Sequence, residues 1–174
     1  RLRHPGILPL LAVGARQDVV YCVWPHPRGE SLRYRLIRDG GLGADETVQV
    51  LHDVADGLAC GHGEGVCHGD LRPDNIYLEN GRAFVAEFGI RSALNAALGS
   101  EGGMDARADV HALAVAGQQM LAGRGGRIGV VIGRALSIDP AEQFADAAAF
   151  RDAVGAPPSA QRSRRHWRVA GAGL

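Results

Sequence analysis

Apolar residues recur along this chain with two different periods. "ILPLLAV" and "DVVYCVW" are short runs rich in β-branched residues, separated by Gly14 to Gln17, and they predict a strand pair. "GESLRYRLIRDG" predicts a short helix ended by Gly40-Gly41. "GADETVQVLHDVADGLACGHGEG" gives the clearest helix. Acidic residues lie at its start, Val50, Leu51, Val54 and Leu58 fall at helical spacing, and glycines mark its exit. "NIYLENGRAFVAEFG" predicts a hairpin turning at Asn80-Gly81. "MDARADVHALAVAGQQMLAGR" predicts a second long helix, apolar enough to be buried, on which His111 is expected as a satisfied core histidine. "IGVVIGRAL" and "ADAAAFRDAV" predict further helices with "DPAEQF" between them. Strands come early, helices dominate later and no long period repeats, which describes an α+β domain.

Composition narrows the picture. The 174 residues suffice for one domain, and with aromatics at 5% the core must rest on Leu, Val, Ile and Ala. Nineteen basic and nineteen acidic residues cancel, which excludes a nucleic-acid-binding face spread over the domain. Cys22, Cys60 and Cys67 have no framework spacing and point to a reducing, cytoplasmic setting. "CGHGEGVCH" brings Cys60, His62, Cys67 and His68 close in sequence, but the spacing matches none of the usual zinc patterns. No apolar run is long enough to span a membrane.

The start "RLRHPGILPLL" reads as an entry into the middle of a domain, and the folded part is expected to close at Val154. In the remaining residues 155–174, Arg162, Arg164, Arg165 and Arg168 surround Trp167. That segment reads either as the cytoplasmic flank of a membrane anchor or as a disordered basic tail.

The stretch "VCHGDLRPDNIYL" holds most of the candidate chemistry: a histidine, two aspartates, an arginine and an asparagine between two apolar runs. It is either a self-capped polar loop or an active site. With "EFG" following the hairpin, this loop resembles the catalytic loop and metal-binding turn of eukaryotic-type protein kinases, which read H-R-D-x-K-P-x-N and D-F-G. The resemblance extends from "HPGILPL" through "VWPHPRGESL" to "DARADVHALA" and "RALSIDPAEQF". It is greatest to the bacterial serine/threonine kinases.

It implies a kinase-like fold with hinge strands, a mostly helical larger lobe, a small catalytic-loop hairpin and a smaller lobe largely missing. By the same resemblance, Asp70 orients a substrate hydroxyl and Arg72 stands for the lysine near the γ-phosphate. Asn75 and Glu87 face Mg²⁺, while Trp24, Pro25, Pro27 and Tyr77 line the ATP site. His68, Phe88 and Asp109 are scaffold.

Several positions depart from the family. Pro27 falls where the hinge donates a backbone N–H to adenine, and proline has none. Glu87 replaces an aspartate, moving the carboxylate by about one methylene, and Mg²⁺ geometry is demanding. "IRSALNAALGSEGGMDARA" is short, lacks the A-P-E and peptide-platform runs, and offers only Ser92 and Ser100 for phosphorylation. Gln143 replaces the arginine that pairs with the A-P-E glutamate. "LAGRGGRIGVVIGRAL" leaves no room for a substrate-docking helix.

Together these features describe a degenerate kinase-like domain acting as scaffold or regulator, with a protein substrate or regulatory protein as its partner. An active serine/threonine kinase seen as a fragment, and a small-molecule phosphotransferase of the same fold, stay open as alternatives.

Overall fold

The computed structural model describes residues 2–17, 19–27, 29–97 and 105–156, and builds the domain around one long helix. The chain enters in an extended segment whose Ile7 forms an isolated parallel bridge to Val85. Strands β1 (Ala12–Arg16) and β2 (Val19–Val23) pair antiparallel from Ala12↔Val23 to Arg16↔Val19. The first strand therefore lies later than its sequence predicts. Pro9 interrupts "ILPLLAV" by removing a donor, and the pairing opens with Leu11 donating its N–H to the Val23 carbonyl at 2.8 Å. Gly14 to Arg16, expected as the connection, are strand residues, and the reversal begins at Gln17 with φ 54°.

Strand β3 (Glu30–Ser31) leads directly into α1 (Leu32–Asp39), where the Ser31 hydroxyl accepts from the Tyr34 N–H and Gly40, at φ 69°, closes the C-terminus. Helix α2 (Ala44–Gly63) follows. Its buried positions include Val50, Leu51, Val54 and Leu58, as their spacing requires. Strands β4 (Ile76–Glu79) and β5 (Arg82–Val85) form the predicted hairpin, with Asn80 and Gly81 at φ 51° and 75° as a two-residue turn demands. β4 also pairs with β3, giving a three-stranded sheet in the order β3-β4-β5.

The remaining helices are α3 (Ile90–Ala97), α4 (Ala106–Leu121), α5 (Arg127–Ala135) and α6 (Ala147–Val154). α2 packs on α4, α6 and β5, and the core there is aliphatic. Fully burying a residue such as Leu51, Leu58 or Leu113 contributes about 2 kcal/mol. A Cβ at Gly117 would lie 2.9 Å from Ile132 Cδ1 and 3.2 Å from Leu51 Cδ2, so glycine permits the close approach of α2, α4 and α5. α6 and the preceding turn share an edge-to-face contact between Phe144 and Phe150, 5.4 Å between ring centres.

One further expectation is corrected. Helix α4 is not buried all round: Arg107, Ala108, Val115, Gln118 and Gln119 form an exposed stripe, and His111 lies on it rather than in the core. The segment after "EFG", to which the sequence pattern assigned no element, forms α3. Apolar Ile90, Ala93, Leu94 and Ala97 recur there at i, i+3, i+4 and i+7.

α4 ends at Leu121 and α5 begins at Arg127, a direct connection. No helix among the described residues is long and apolar enough to cross a membrane. The basic segment around Trp167 lies outside the described residues.

Candidate functional site

The loop after α2 is held by groups that bracket it from both sides. From the first turn of α4, Asp109 accepts the backbone N–H of His68 at Oδ2 and that of Gly69 at Oδ1, each at 2.8 Å. Gly69 takes φ 75°, a left-handed conformation that glycine adopts without strain. His68 is fully buried; its Nε2 lies 3.0 Å from the Ala86 carbonyl and its Nδ1 accepts the Asp70 N–H at 3.2 Å. Those two partners select the neutral tautomer with the proton on Nε2. Phe88 meets the His68 ring edge to face at 5.4 Å. Phe88 in turn rests against Gly61 of α2, where a Cβ would overlap its ring.

A 3-10 turn (Pro73–Asn75) then returns the chain to β4. The Asn75 side-chain N–H donates to the Asp70 carbonyl at 3.0 Å, and the Asn75 carbonyl accepts the Ala86 N–H at 2.8 Å. The loop is thus tied at two points to Ala86, the residue that follows β5. Buried Asp53 of α2 anchors the same strand by accepting from Arg82 Nε at 2.8 Å and from the Ala83 N–H at 3.0 Å.

Two adjoining cavities open on this scaffold. One, of about 400 Å³, is lined by Cys22, Trp24, Pro25, Pro27, Tyr77 and Glu87 among others. Tyr77 is stacked on Phe84 at 5.8 Å. The other, of about 110 Å³, is lined by Asp70, Asn75 and Glu87 on one side and by Ile90, Arg91 and Leu94 of α3 on the other. Glu87 belongs to both cavities. It is exposed, with a strained φ of 59°. Arg72 lines neither cavity; its Nε stands 4.0 Å from Asp70 Oδ2, and both side chains are about half exposed.

Burial sets the electrostatics. It pushes the His68 imidazole below the usual histidine range, against the opposing pull of the Ala86 carbonyl and nearby carboxylates. Burial alone would raise the Asp109 carboxyl, but the hydrogen bonds from His62, Gly69 and His68 outweigh it and hold the group below the usual carboxylate range.

The sequence-derived site residues therefore fall into groups. Trp24, Pro25, Pro27 and Tyr77 share the larger cavity, and Asp70, Asn75 and Glu87 share the smaller. His68, Phe88 and Asp109 stand behind them. Sequence reasoning missed α3 as the wall of the smaller cavity, although the i, i+3, i+4 apolar spacing was present. It placed His62 only in the "CGHGEGVCH" grouping and missed that His62 shares Asp109 with the loop at 2.9 Å. Gln143, where the family pattern has an arginine, makes a local bond instead, donating to the Ser137 carbonyl at 2.7 Å. Ser92 falls on α3, and Ser100 lies outside the described residues.

The protein kinase domain family matches residues 1–123. The chain belongs to that family. Among curated kinases it is 28% identical over 142 residues to the serine/threonine-protein kinase PrkC of Bacillus subtilis, covering 71% of this chain and 22% of PrkC. It is 30% identical over 104 residues to the probable serine/threonine-protein kinase pknA2 of Bifidobacterium longum, covering 59% of this chain and 14% of that one. This kinase-family chain thus spans about a fifth or less of those relatives' length. The crystal structure of the Mycobacterium tuberculosis PknI kinase domain superposes with a TM-score of 0.73 at 27% identity, over 88% of this chain and 73% of that one.

Protein kinases use ATP and Mg²⁺, and the smaller cavity can be tested against that requirement. The Asn75 amide spends its N–H on the Asp70 carbonyl, which leaves its oxygen as the remaining donor beside the Glu87 carboxylate. Oxygen donors suit a hard cation. Asn75 and Glu87 are the residues that would hold Mg²⁺, which supplies charge neutralisation of a transferring phosphoryl group.

Proposed function

We propose that this chain is a degenerate protein-kinase domain that has kept the scaffold around Asp70 and lost most of the phosphoryl-transfer chemistry, and that it acts as a scaffold or regulator of a protein partner. The observation that carries the reading is the wall of the larger cavity. Trp24, Pro25, His26 and Pro27 run along it, so two of four consecutive positions have no N–H to offer an adenine ring. A lost hydrogen bond of that kind weakens binding by about 1 kcal/mol, and by more where the ligand's acceptor is left buried and unmatched.

Three further features support the reading. Glu87 sets its carboxylate one methylene beyond an aspartate's, on strained backbone. Helix α3 follows it directly and stands over Asp70, so the space beside the catalytic carboxylate is only about 110 Å³. The exposed surface on which the family seats peptides is reduced, since α5 follows α4 almost at once and Gln143 has no arginine's work to do. In a positioning-dominated reaction, misplacement of about 1 Å costs on the order of a hundredfold.

A working kinase would use the residues differently. Asp70 would accept the substrate hydroxyl proton, Arg72 would face the γ-phosphate, and Asn75 and Glu87 would hold the metal. The decisive assay is transfer of labelled phosphate from Mg-ATP to the chain itself and to a generic basic protein, with Asp70→Asn alongside. The expected result is no transfer that depends on Asp70. Transfer abolished by Asp70→Asn would establish an active serine/threonine kinase. Turnover on small hydroxylated or aminated sugars without protein labelling would establish a small-molecule phosphotransferase.

A further inference from the structure

Beneath the loop that carries Asp70, three side chains from three separate elements converge. His62 comes from the last turn of α2, Cys67 from the loop itself and Asp109 from the first turn of α4. One ligand-type atom of each lies within 4.8 Å of the other two. The grouping differs from the one suggested by "CGHGEGVCH": Cys60 stays out of it, and His68 is turned away to the Ala86 carbonyl. Asp109 enters instead from far along the sequence. We propose that His62, Cys67 and Asp109 form a zinc site that clamps the base of the catalytic loop. This inference does not depend on whether phosphoryl transfer survives.

The donor set is one imidazole nitrogen, one thiolate and one carboxylate, the borderline-soft mixture that zinc takes in tetrahedral sites with water in the fourth position. The geometry is near what such an ion needs. Two ligands at zinc–nitrogen and zinc–oxygen distances of about 2.05 Å stand about 3.3 Å apart at a tetrahedral angle, and a thiolate stands about 3.6 Å from either. His62 Nε2 and Asp109 Oδ2 are 2.9 Å apart, so they need separate by only a few tenths of an ångström. The sulfur lies within 4.8 Å of both, so it must close by at most about 1.2 Å to reach that spacing.

The surroundings are suited to the role. Asp109 is 2% exposed and the His62 side chain 10% exposed, so these two ligands are largely shielded, while Cys67 is partly exposed. The His68 and Gly69 amides hold both carboxylate oxygens of Asp109, as outer-shell partners do in metal sites. Nδ1 of His62 is buried, with no hydrogen-bond partner among the described residues. On binding, the Cys67 thiol gives its proton to solvent and the His62 proton moves from Nε2 to Nδ1. The net change is one proton released per ion.

Titration of the whole chain with Co²⁺ and Zn²⁺ under reducing conditions tests the site. Cobalt bound at one equivalent should give a thiolate-to-metal charge-transfer band and the intense visible bands of tetrahedral coordination, both displaced by zinc. Zinc should raise the melting temperature. Cys67→Ser should abolish the charge-transfer band and the melting shift, and Cys60→Ser should leave both intact. Cys67→Ala provides a second test of the ligand should the serine variant fold poorly. Absence of the charge-transfer band in the unsubstituted chain overturns the proposal. So does a band that survives both Cys67 variants, or one that is lost in Cys60→Ser.

Discussion

Asp109 of α4 holds His68 of the Asp70 loop by accepting its backbone N–H at 2.8 Å. The same carboxylate takes Gly69 and His62, so one buried group sets the path of the loop from behind. Removing it strands the buried His68 amide and the part-buried Gly69 amide. Asp109→Ala is expected to destabilise the fold by about 3–5 kcal/mol. Asp109→Asn, which keeps one acceptor, should cost about half of that. Urea unfolding followed by circular dichroism measures both. Equal stability of the alanine variant and the parent would remove Asp109 from its place in the account.

Acid should loosen the domain in two steps. The folded His68 titrates below its unfolded value of about 6.5, so it favours the folded state above that pH. The contribution declines as pH falls from 6.5 through the lowered folded value, because protonating Nδ1 breaks its bond with the Asp70 N–H. Asp109 is likewise held below its unfolded value of about 3.9, and its contribution is lost only below that pH. Urea midpoints measured from pH 7 to pH 5 should fall more steeply in the parent than in His68→Gln. Parallel slopes would contradict the assignment of the first step to His68.

Gly61 gives a packing test. A methyl group there would overlap the Phe88 ring, which supports His68. Overpacking of this kind costs about 1–3 kcal/mol, partly offset by alanine's better helix propensity of about 1 kcal/mol. Gly61→Ala should therefore lower stability by up to about 2 kcal/mol, read by thermal unfolding. A stabilised variant would mean that Phe88 is free to move.

Much of this arrangement is legible in the sequence, and the gaps have physical causes. Asn80-Gly81 requires two left-handed residues, so the hairpin could be placed to the residue. Helix α2 announces itself by a clean apolar stripe, which the structure buries. Strand β1 does not, because Pro9 splits an apolar run that otherwise looks continuous. His111 was misplaced because α4 is rich in alanine on every side. Alanine marks neither face, and only the spacing of His111, Val115 and Gln118 reveals the exposed stripe. The gathering of His62, Cys67 and Asp109 is a property of three elements meeting, which no local pattern encodes.

The hinge can be repaired. Pro27→Ala restores a backbone N–H to the wall of the larger cavity and should improve nucleotide binding by about 1 kcal/mol, roughly fivefold. Trp24 lines that cavity and reports on its occupancy, most cleanly in a Trp167→Phe background. No gain from Pro27→Ala would mean that the missing donor is not what limits binding.

The most direct test of the central claim is a titration of the Trp167→Phe chain with Mg-ATP, following Trp24 fluorescence, beside the same chain carrying Pro27→Ala and Glu87→Asp. The account predicts no saturable response in the first up to about 1 mM, the limit of roughly 4 kcal/mol of binding, and a saturable response in the second. Saturation of the first chain well below that concentration would contradict it, because a site that binds Mg-ATP tightly has not lost its hinge or its metal.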